Sequence, residues 1–133
     1  MSSVLVRAPA PLALMVLIFW LSSQSDPGAD IGALGRIGAH AGEYFLLTIL
    51  WAWALAAGLG RRAVPAAALI AFVYAISDEV HQGFVEGRDS SPFDVAVDAA
   101  GVALAVALLS VMSRRGPGAR SRRTARRARA RPA

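Results

Sequence analysis

Four apolar segments follow one another along the chain, separated by short polar stretches. They cover about residues 8–22, 37–59, 63–82 and 92–112. An α-helix rises 1.5 Å per residue, so roughly 20 residues cross the hydrocarbon core of a bilayer, which is about 30 Å thick. The pattern therefore predicts an all-α protein, an integral membrane bundle of four transmembrane helices.

Charged residues enter the outer ends of three of these segments. The uncharged runs cover 44–60, 63–77 and 99–113. Each run spans only roughly 22–26 Å of helix, which is too short for a full crossing. The helices must therefore draw polar residues into the membrane, namely His40 and Glu43, then Asp78 and Glu79, then Asp94 and Asp98.

Local signals indicate helix boundaries and packing. Pro65 fits the first turn of the third helix, and Gly83 is able to end it. Gly38 and Gly42 form a G-x-x-x-G pair in the second helix, which predicts a close helix–helix contact. The first segment has the Arg and the short apolar run of a secretory signal, but SSQS is a poor cleavage site, so we interpret it as a retained helix.

The distribution of arginine predicts the orientation in the membrane. All fourteen basic residues are Arg, and nine of them lie at 114–131. In a four-helix hairpin bundle, Arg7 and the Arg pair before the third segment fall on the same side as this tail, whereas Arg36 and Arg88 fall on the other. The positive-inside rule then predicts a multi-pass protein of the cell membrane with both termini in the cytoplasm.

Composition divides the chain into two parts. Residues 1–113 are expected to form the transmembrane domain, and residues 114–133 a disordered Arg-rich cytoplasmic tail. Such a tail attracts anionic lipid headgroups by about 1 kcal/mol per nearby Arg. It lacks interleaved aromatic residues, so nucleic acid is not an expected partner. The chain has no cysteine, which excludes disulfides and thiolate metal sites.

The third segment places three polar side chains on one helical face. Tyr74, Asp78 and His81 follow at i, i+4 and i+7. Asp78 lies near the helix C-terminus, where an acidic side chain opposes the macrodipole, and ionisable residues at membrane depth usually face a cavity or a partner. Asp78 is therefore a functional candidate. Glu79 and Gln82 are interpreted either as ligand-binding residues or as residues that reach the lipid headgroups.

The second and fourth segments add further candidates. His40, Glu43 and Tyr44 share a face of the second helix, although Glu43 also suits an ordinary helix start. Asp94 and Asp98 share a face of the fourth helix. Asp94 fits a helix cap, whereas Asp98 lies too deep for one.

Together these residues form a polar constellation from three helices. Arg88, in the loop beside it, is expected either to pair with Asp94 or to bind an anionic group of a ligand in a bidentate contact. A divalent metal is one possible occupant, with the candidate ligands His40, His81, Asp78 and Asp94. Acid–base catalysis is another, with the candidates His81, Asp78, His40, Glu43, Asp94 and Asp98. No H-E-x-x-H, Walker or nucleophile-elbow motif accompanies the set.

Three stretches carry a family resemblance. They are FWLSSQS at 19–25, the H-x-x-E-Y pattern at 40–44, and SDEVHQGFVEGRDSSPFDVAVDAAG at 77–101. Over about residues 12–112 the chain resembles the VanZ-like family, which is named for a teicoplanin-resistance protein. By match, the characteristic polar positions of that family are His40, Glu43, Asp78, Glu79, His81, Gln82, Arg88 and Asp94. Glu86 stands where the family usually has Pro, and Asp98 where it usually has Asn.

The resemblance implies an integral protein of the cell envelope and an association with glycopeptide resistance, but it names no reaction. Two functions are therefore open. The first is a non-catalytic binding or resistance protein, whose outward-facing pocket meets a lipid-linked cell-wall precursor or a glycopeptide. The second is a membrane-embedded, metal-dependent hydrolase or transferase that acts on a lipid-linked envelope substrate.

Overall fold

A computed structural model describes residues 2–25, 32–88 and 90–115 of the chain. In these ranges the chain is almost entirely α-helical, with no strand, as the apolar pattern predicts. The helices are α1 (Ser2–Arg7), α2 (Pro9–Ser22), α3 (Gly32–Leu59), α4 (Ala63–Gln82) and α5 (Pro92–Arg115), and a 3-10 turn, Gly60–Arg62, joins α3 to α4. The predicted tail beyond residue 115 lies outside the described residues.

Three helical stretches are long and apolar enough to cross a membrane. They are Ser3–Ser22, Gly32–Gln82 and Pro92–Arg114. The middle stretch contains α3, the 3-10 turn and α4. The bounds of α4 agree with the sequence prediction, whereas α3 begins at Gly32, five residues before the predicted start at residue 37.

Contacts between helices define their relative directions. The Tyr74 hydroxyl donates to the Met15 carbonyl oxygen at 2.6 Å, and further along both helices Ser22 bonds Asp78. Contacts that advance together in this way show that α2 and α4 run in the same direction. Near the start of α3, His40 contacts Asp98 of α5, so the beginnings of α3 and α5 lie together.

The chain reverses between α3 and α4. Gly60 adopts a left-handed φ of 51°, which glycine tolerates because it has no Cβ. At this same end, the Arg7 guanidinium donates to the Trp53 carbonyl oxygen and lies over its ring. The ends of α2 and α4 and the beginnings of α3 and α5 are therefore at the other end of the bundle, which we call the polar end.

The core between the helices is apolar and contains many small side chains. Tyr44 and Leu47 of α3 pack with Ile18 of α2 and Val102 of α5. The side of α4 that is buried carries alanine at every fourth position, at Ala63, Ala67, Ala71 and Ala75. Small residues allow helix backbones to approach closely where no hydrophobic effect drives association. This stripe brings α4 against its neighbours.

Two helices approach closely at Gly101, and not at the predicted glycine pair. A Cβ on Gly101 would lie 3.0 Å from the carbonyl carbon of Ala41 and closer still to its oxygen. A Cβ on Gly38 or Gly42 would meet no atom within 4 Å. The prediction that Gly38 and Gly42 mediate a helix contact within the chain is therefore wrong, because this side of α3 faces outward.

We predict that Gly101→Ala destabilises the bundle. The methyl group overlaps the α3 backbone, and overpacking of this kind costs ~1–3 kcal/mol. Gly42→Ala is the matched control, because its methyl group meets open space and alanine stabilises a helix interior by about 1 kcal/mol relative to glycine. Thermal unfolding of both purified variants in one detergent checks this. Equal midpoints for the two would contradict the close contact.

Candidate functional site

Tyr74, Asp78 and His81 lie on one face of α4, as predicted, and this face contacts α2 and the residue that follows it. The Ser22 hydroxyl lies 2.6 Å from Oδ1 of Asp78, and the Ser23 hydroxyl lies 3.0 Å from Nε2 of His81. The imidazole of His81 also stacks on the Phe19 ring, with 4.4 Å between centroids. Both ionisable residues of this face therefore bind the segment 19–23, and they join two stretches that carry the family resemblance.

A second pair of contacts joins α3 to α5. Nδ1 of His40 lies 3.1 Å from Oδ1 of Asp98, whose side chain is only 1% exposed. One turn earlier on both helices, Arg36 pairs with Asp94 at 3.6 Å. The open alternative in which Arg88 pairs with Asp94 is therefore wrong, because Arg36 takes that role.

Glu79 and Gln82 are buried rather than extended toward lipid headgroups. The Glu79 carboxylate accepts a hydrogen bond from the backbone N–H of Ser91, which ties the end of α4 to the start of α5. Gln82 donates through Nε2 to Oδ2 of Asp78 at 3.1 Å. Both side chains are about as buried as Asp78, so the interpretation that they reach the headgroups is wrong.

A pocket of about 190 Å³ lies at the polar end, between α2, α3, α4 and the loop before α5. Its wall combines two arginines, two carboxylates, a histidine, two further polar side chains and two apolar ones. The lining residues are Leu21, Ser22, Arg36, Ala39, His40, Glu43, Asp78, Gln82 and Arg88. Five of the ten candidate residues thus line one cavity: His40, Glu43, Asp78, Gln82 and Arg88.

The other five candidates do not line the pocket. Asp94 and Asp98 contact the lining residues Arg36 and His40, and Glu79 accepts a hydrogen bond from the Ser91 backbone. His81 faces Ser23 and Phe19. Tyr44 is fully buried in the core, with its ring 6.4 Å from that of Tyr74.

The four candidate metal ligands do not converge. Asp78 binds Ser22 and Gln82, His81 binds Ser23, His40 binds Asp98, and Asp94 pairs with Arg36. Across the described part of the chain, no group of three or more His, Asp or Glu side chains could hold a metal ion. The predicted site from His40, His81, Asp78 and Asp94 is therefore not formed. Asp78 and His81 are directed to the end of α2, His40 to α5 and Asp94 to α3.

Sequence reasoning missed three residues of this region. Ser22 and Ser23 bind the two ionisable residues of α4, and Arg36 both lines the pocket and pairs with Asp94. Two signals were present in the sequence. Adjacent serines end an otherwise apolar segment, and Arg36 precedes His40 by four residues, the same spacing that separates Asp94 from Asp98.

Charged side chains enclosed at one end of an apolar helical bundle are typical of a membrane protein with an internal polar site. The chain matches the VanZ/LLP1 family model over residues 10–113, and it belongs to this family. No curated protein and no solved structure matches the chain.

We predict that Asp98→Ala destabilises the protein more than Asp98→Asn does. Alanine leaves the partly buried His40 without its partner, and an unsatisfied buried polar group costs about 1–3 kcal/mol. The asparagine oxygen can still accept a hydrogen bond from the imidazole, so at least half of the lost stability should be retained. Denaturation of both variants in detergent measures the difference. A similar loss for both would show that the negative charge, and not the hydrogen bond, is what matters.

Proposed function

We propose that this VanZ-like protein crosses the cell membrane four times, with both termini in the cytoplasm, and that its pocket opens outward to bind the polar part of an envelope molecule. The pocket of about 190 Å³ carries this proposal, because it gathers Arg88, His40, Glu43 and Asp78 from separate parts of the chain. Buried charge at membrane depth is costly and is generally associated with function.

Four crossings are supported by the lengths of α3 and α4. α3 has 28 residues and α4 has 20. At 1.5 Å per residue, these helices rise about 42 Å and 30 Å, so each is long enough to cross alone. The turn at Gly60–Arg62 places two arginines between them, at a level where charged side chains meet a headgroup layer.

The separation of charge supports the orientation. Arg7 contacts the last turns of α3, and Arg61 and Arg62 are exposed beside it. All six described acidic residues lie toward the polar end, in the first halves of α3 and α5, near the C-terminus of α4 and in the loop between α4 and α5. The positive-inside rule assigns the arginine end to the cytoplasm. The Arg-rich tail is proposed to lie on that side and to contact anionic headgroups.

We predict that a membrane-impermeant maleimide labels Glu86→Cys but not Arg61→Cys in intact cells. The chain has no cysteine of its own, so each variant carries one thiol. Both positions are exposed and lie at opposite ends of the bundle. Both must react after the cells are opened, which is the control. Labelling of Arg61→Cys alone in intact cells would reverse the orientation.

Binding fits the site better than catalysis does. Asp78 is held by Ser22 and Gln82, which leaves its carboxylate with structural partners. His81, a candidate general base, lies outside the pocket lining. The Glu43 carboxylate and the Arg88 donors that are not bonded to the Leu21 carbonyl oxygen are suited to holding charged or polar groups. The proposed ligand is a lipid-linked cell-wall precursor, a headgroup or a glycopeptide that reaches the outer face.

We predict that expression of the chain in a teicoplanin-susceptible host raises the inhibitory concentration of teicoplanin, and that Arg88→Gln abolishes the increase. The substitution removes the guanidinium from the pocket wall. Arg61→Gln, an exposed position at the opposite end, should retain the wild-type effect. Membrane levels of the three proteins must be matched by immunoblot. No increase with the wild-type chain would contradict the resistance role, and an equal increase with Arg88→Gln would exclude the pocket from it.

A further inference from the structure

We infer that the pocket takes a zwitterionic group, with a phosphate against Arg88 and an ammonium against Glu43, as in the phosphoethanolamine headgroup of a lipid. This inference rests on the proposed binding function and specifies the ligand's chemistry. It is drawn from two opposite charges that line one cavity without forming an ion pair with each other or with any other described residue.

Arg88 offers the anionic half of this ligand an unused part of its guanidinium. One terminal nitrogen donates to the Leu21 carbonyl oxygen at 3.2 Å, which anchors the side chain against the end of α2. Its Nε is buried and has no hydrogen-bond partner among the described residues. A guanidinium carries five N–H donors in a rigid fork that matches phosphate oxygens. The anchored side chain is therefore pre-oriented, with both charge and donors left for a ligand.

Glu43 offers the cationic half an acceptor. Its side chain is half-buried in the pocket wall, and its carboxylate has no hydrogen bond or ion pair to any described residue. The neighbouring charged groups are already engaged, since Asp78 binds Ser22 and His40 binds Asp98. An ionised carboxylate only accepts hydrogen bonds. Among ligand groups, an ammonium supplies both the donors and the opposite charge.

The charge balance of the wall favours a ligand that carries both signs. Arg36 and Arg88 line the pocket together with Glu43 and Asp78, so the formal charges cancel when His40 is neutral. A simple anion would bind close to two carboxylates, and a simple cation close to two guanidinium groups. An uncharged sugar would leave both unpaired charges without a counter-charge, which is unfavourable away from water.

The size of the pocket favours a headgroup. A cavity of about 190 Å³ is far larger than one water requires and has room for a phosphate and an amine joined by a short linker. Acyl chains would remain outside, in the bilayer. The pocket is at the polar end of the helices, where the headgroups of the adjacent leaflet lie.

The test uses the full chain purified in phospholipid-free detergent, with calorimetric titration of four probes. These are dihexanoyl phosphatidylethanolamine, dihexanoyl phosphatidylglycerol, free phosphoethanolamine and ethanolamine. A charged hydrogen bond contributes about 1.5–3 kcal/mol, so the ethanolamine lipid should bind at least about 10-fold more tightly than the glycerol lipid. Free phosphoethanolamine should likewise bind more tightly than ethanolamine.

Two variants test the proposed contacts separately, the ammonium contact at Glu43 and the phosphate contact at Arg88. Glu43→Gln should lower the affinity for dihexanoyl phosphatidylethanolamine to that for dihexanoyl phosphatidylglycerol. The affinity for the phosphatidylglycerol should stay unchanged or increase. Arg88→Gln should weaken both lipids by about 10-fold or more. Glu86→Gln is the matched control for charge, because Glu86 is exposed and outside the pocket lining.

The outcomes separate this inference from the proposed function. If the short-chain lipid binds more tightly than free phosphoethanolamine, the source is a membrane headgroup; equal affinities indicate a soluble phosphoethanolamine. If the phosphatidylglycerol binds as tightly as the phosphatidylethanolamine or more tightly, and Arg88 is required, the inference of a zwitterionic ligand is wrong. The proposal of a binding pocket would then still stand. Binding of no probe would also overturn the inference of a zwitterionic ligand, and the teicoplanin comparison of Arg88→Gln would then decide the proposed function independently.

Discussion

A charged side chain that enters a bilayer must find its partner inside the protein, and the polar end of this bundle is built on that constraint. Asp78 is held by Ser22 of α2, and Asp98 by His40 of α3. Glu79 accepts from the Ser91 backbone at the start of α5. Each carboxylate therefore joins its own helix to another part of the chain, and these contacts position the helix ends around one pocket. Truncating one partner leaves a buried polar group unsatisfied, so the polar end is both the most specific and the most vulnerable part of the fold.

Helix type, the bounds of α4 and the polar face of Tyr74, Asp78 and His81 follow from hydrophobic periodicity, because periodicity depends only on the helix itself. The partners do not follow from it. A sequence shows which residues share a face but not which neighbour that face meets. Pairing with Asp94 was therefore one of two open alternatives for Arg88, whereas the partner of Asp94 is Arg36. The glycine contact was missed for the same reason: Gly38 and Gly42 fit a packing motif, but the backbone approach is at Gly101.

The candidate site divides into side chains that hold the structure and side chains that remain for a ligand. Most of the ionisable residues singled out from the sequence belong to the first group, since they bond serines, a histidine, an arginine or the backbone. Glu43 has no such partner among the described residues, and Arg88 keeps its Nε donor free beside its one bond to the Leu21 carbonyl oxygen; both line the same cavity. Membership of the VanZ/LLP1 family gives the class of protein, and these two residues give the chemistry to be tested within it.

The central claim is that polar residues from separate helices meet in these specific pairs, and the histidine side chains report it directly. The chain has two histidines, so long-range ¹H–¹⁵N spectra of the purified protein contain only two imidazole systems. Because His40 contacts Asp98 and His81 contacts Ser23, Asp98→Asn should shift the resonances of His40 alone, and Ser23→Ala those of His81 alone. Spectra that both substitutions leave unchanged, or in which each shifts the opposite histidine, would contradict the arrangement.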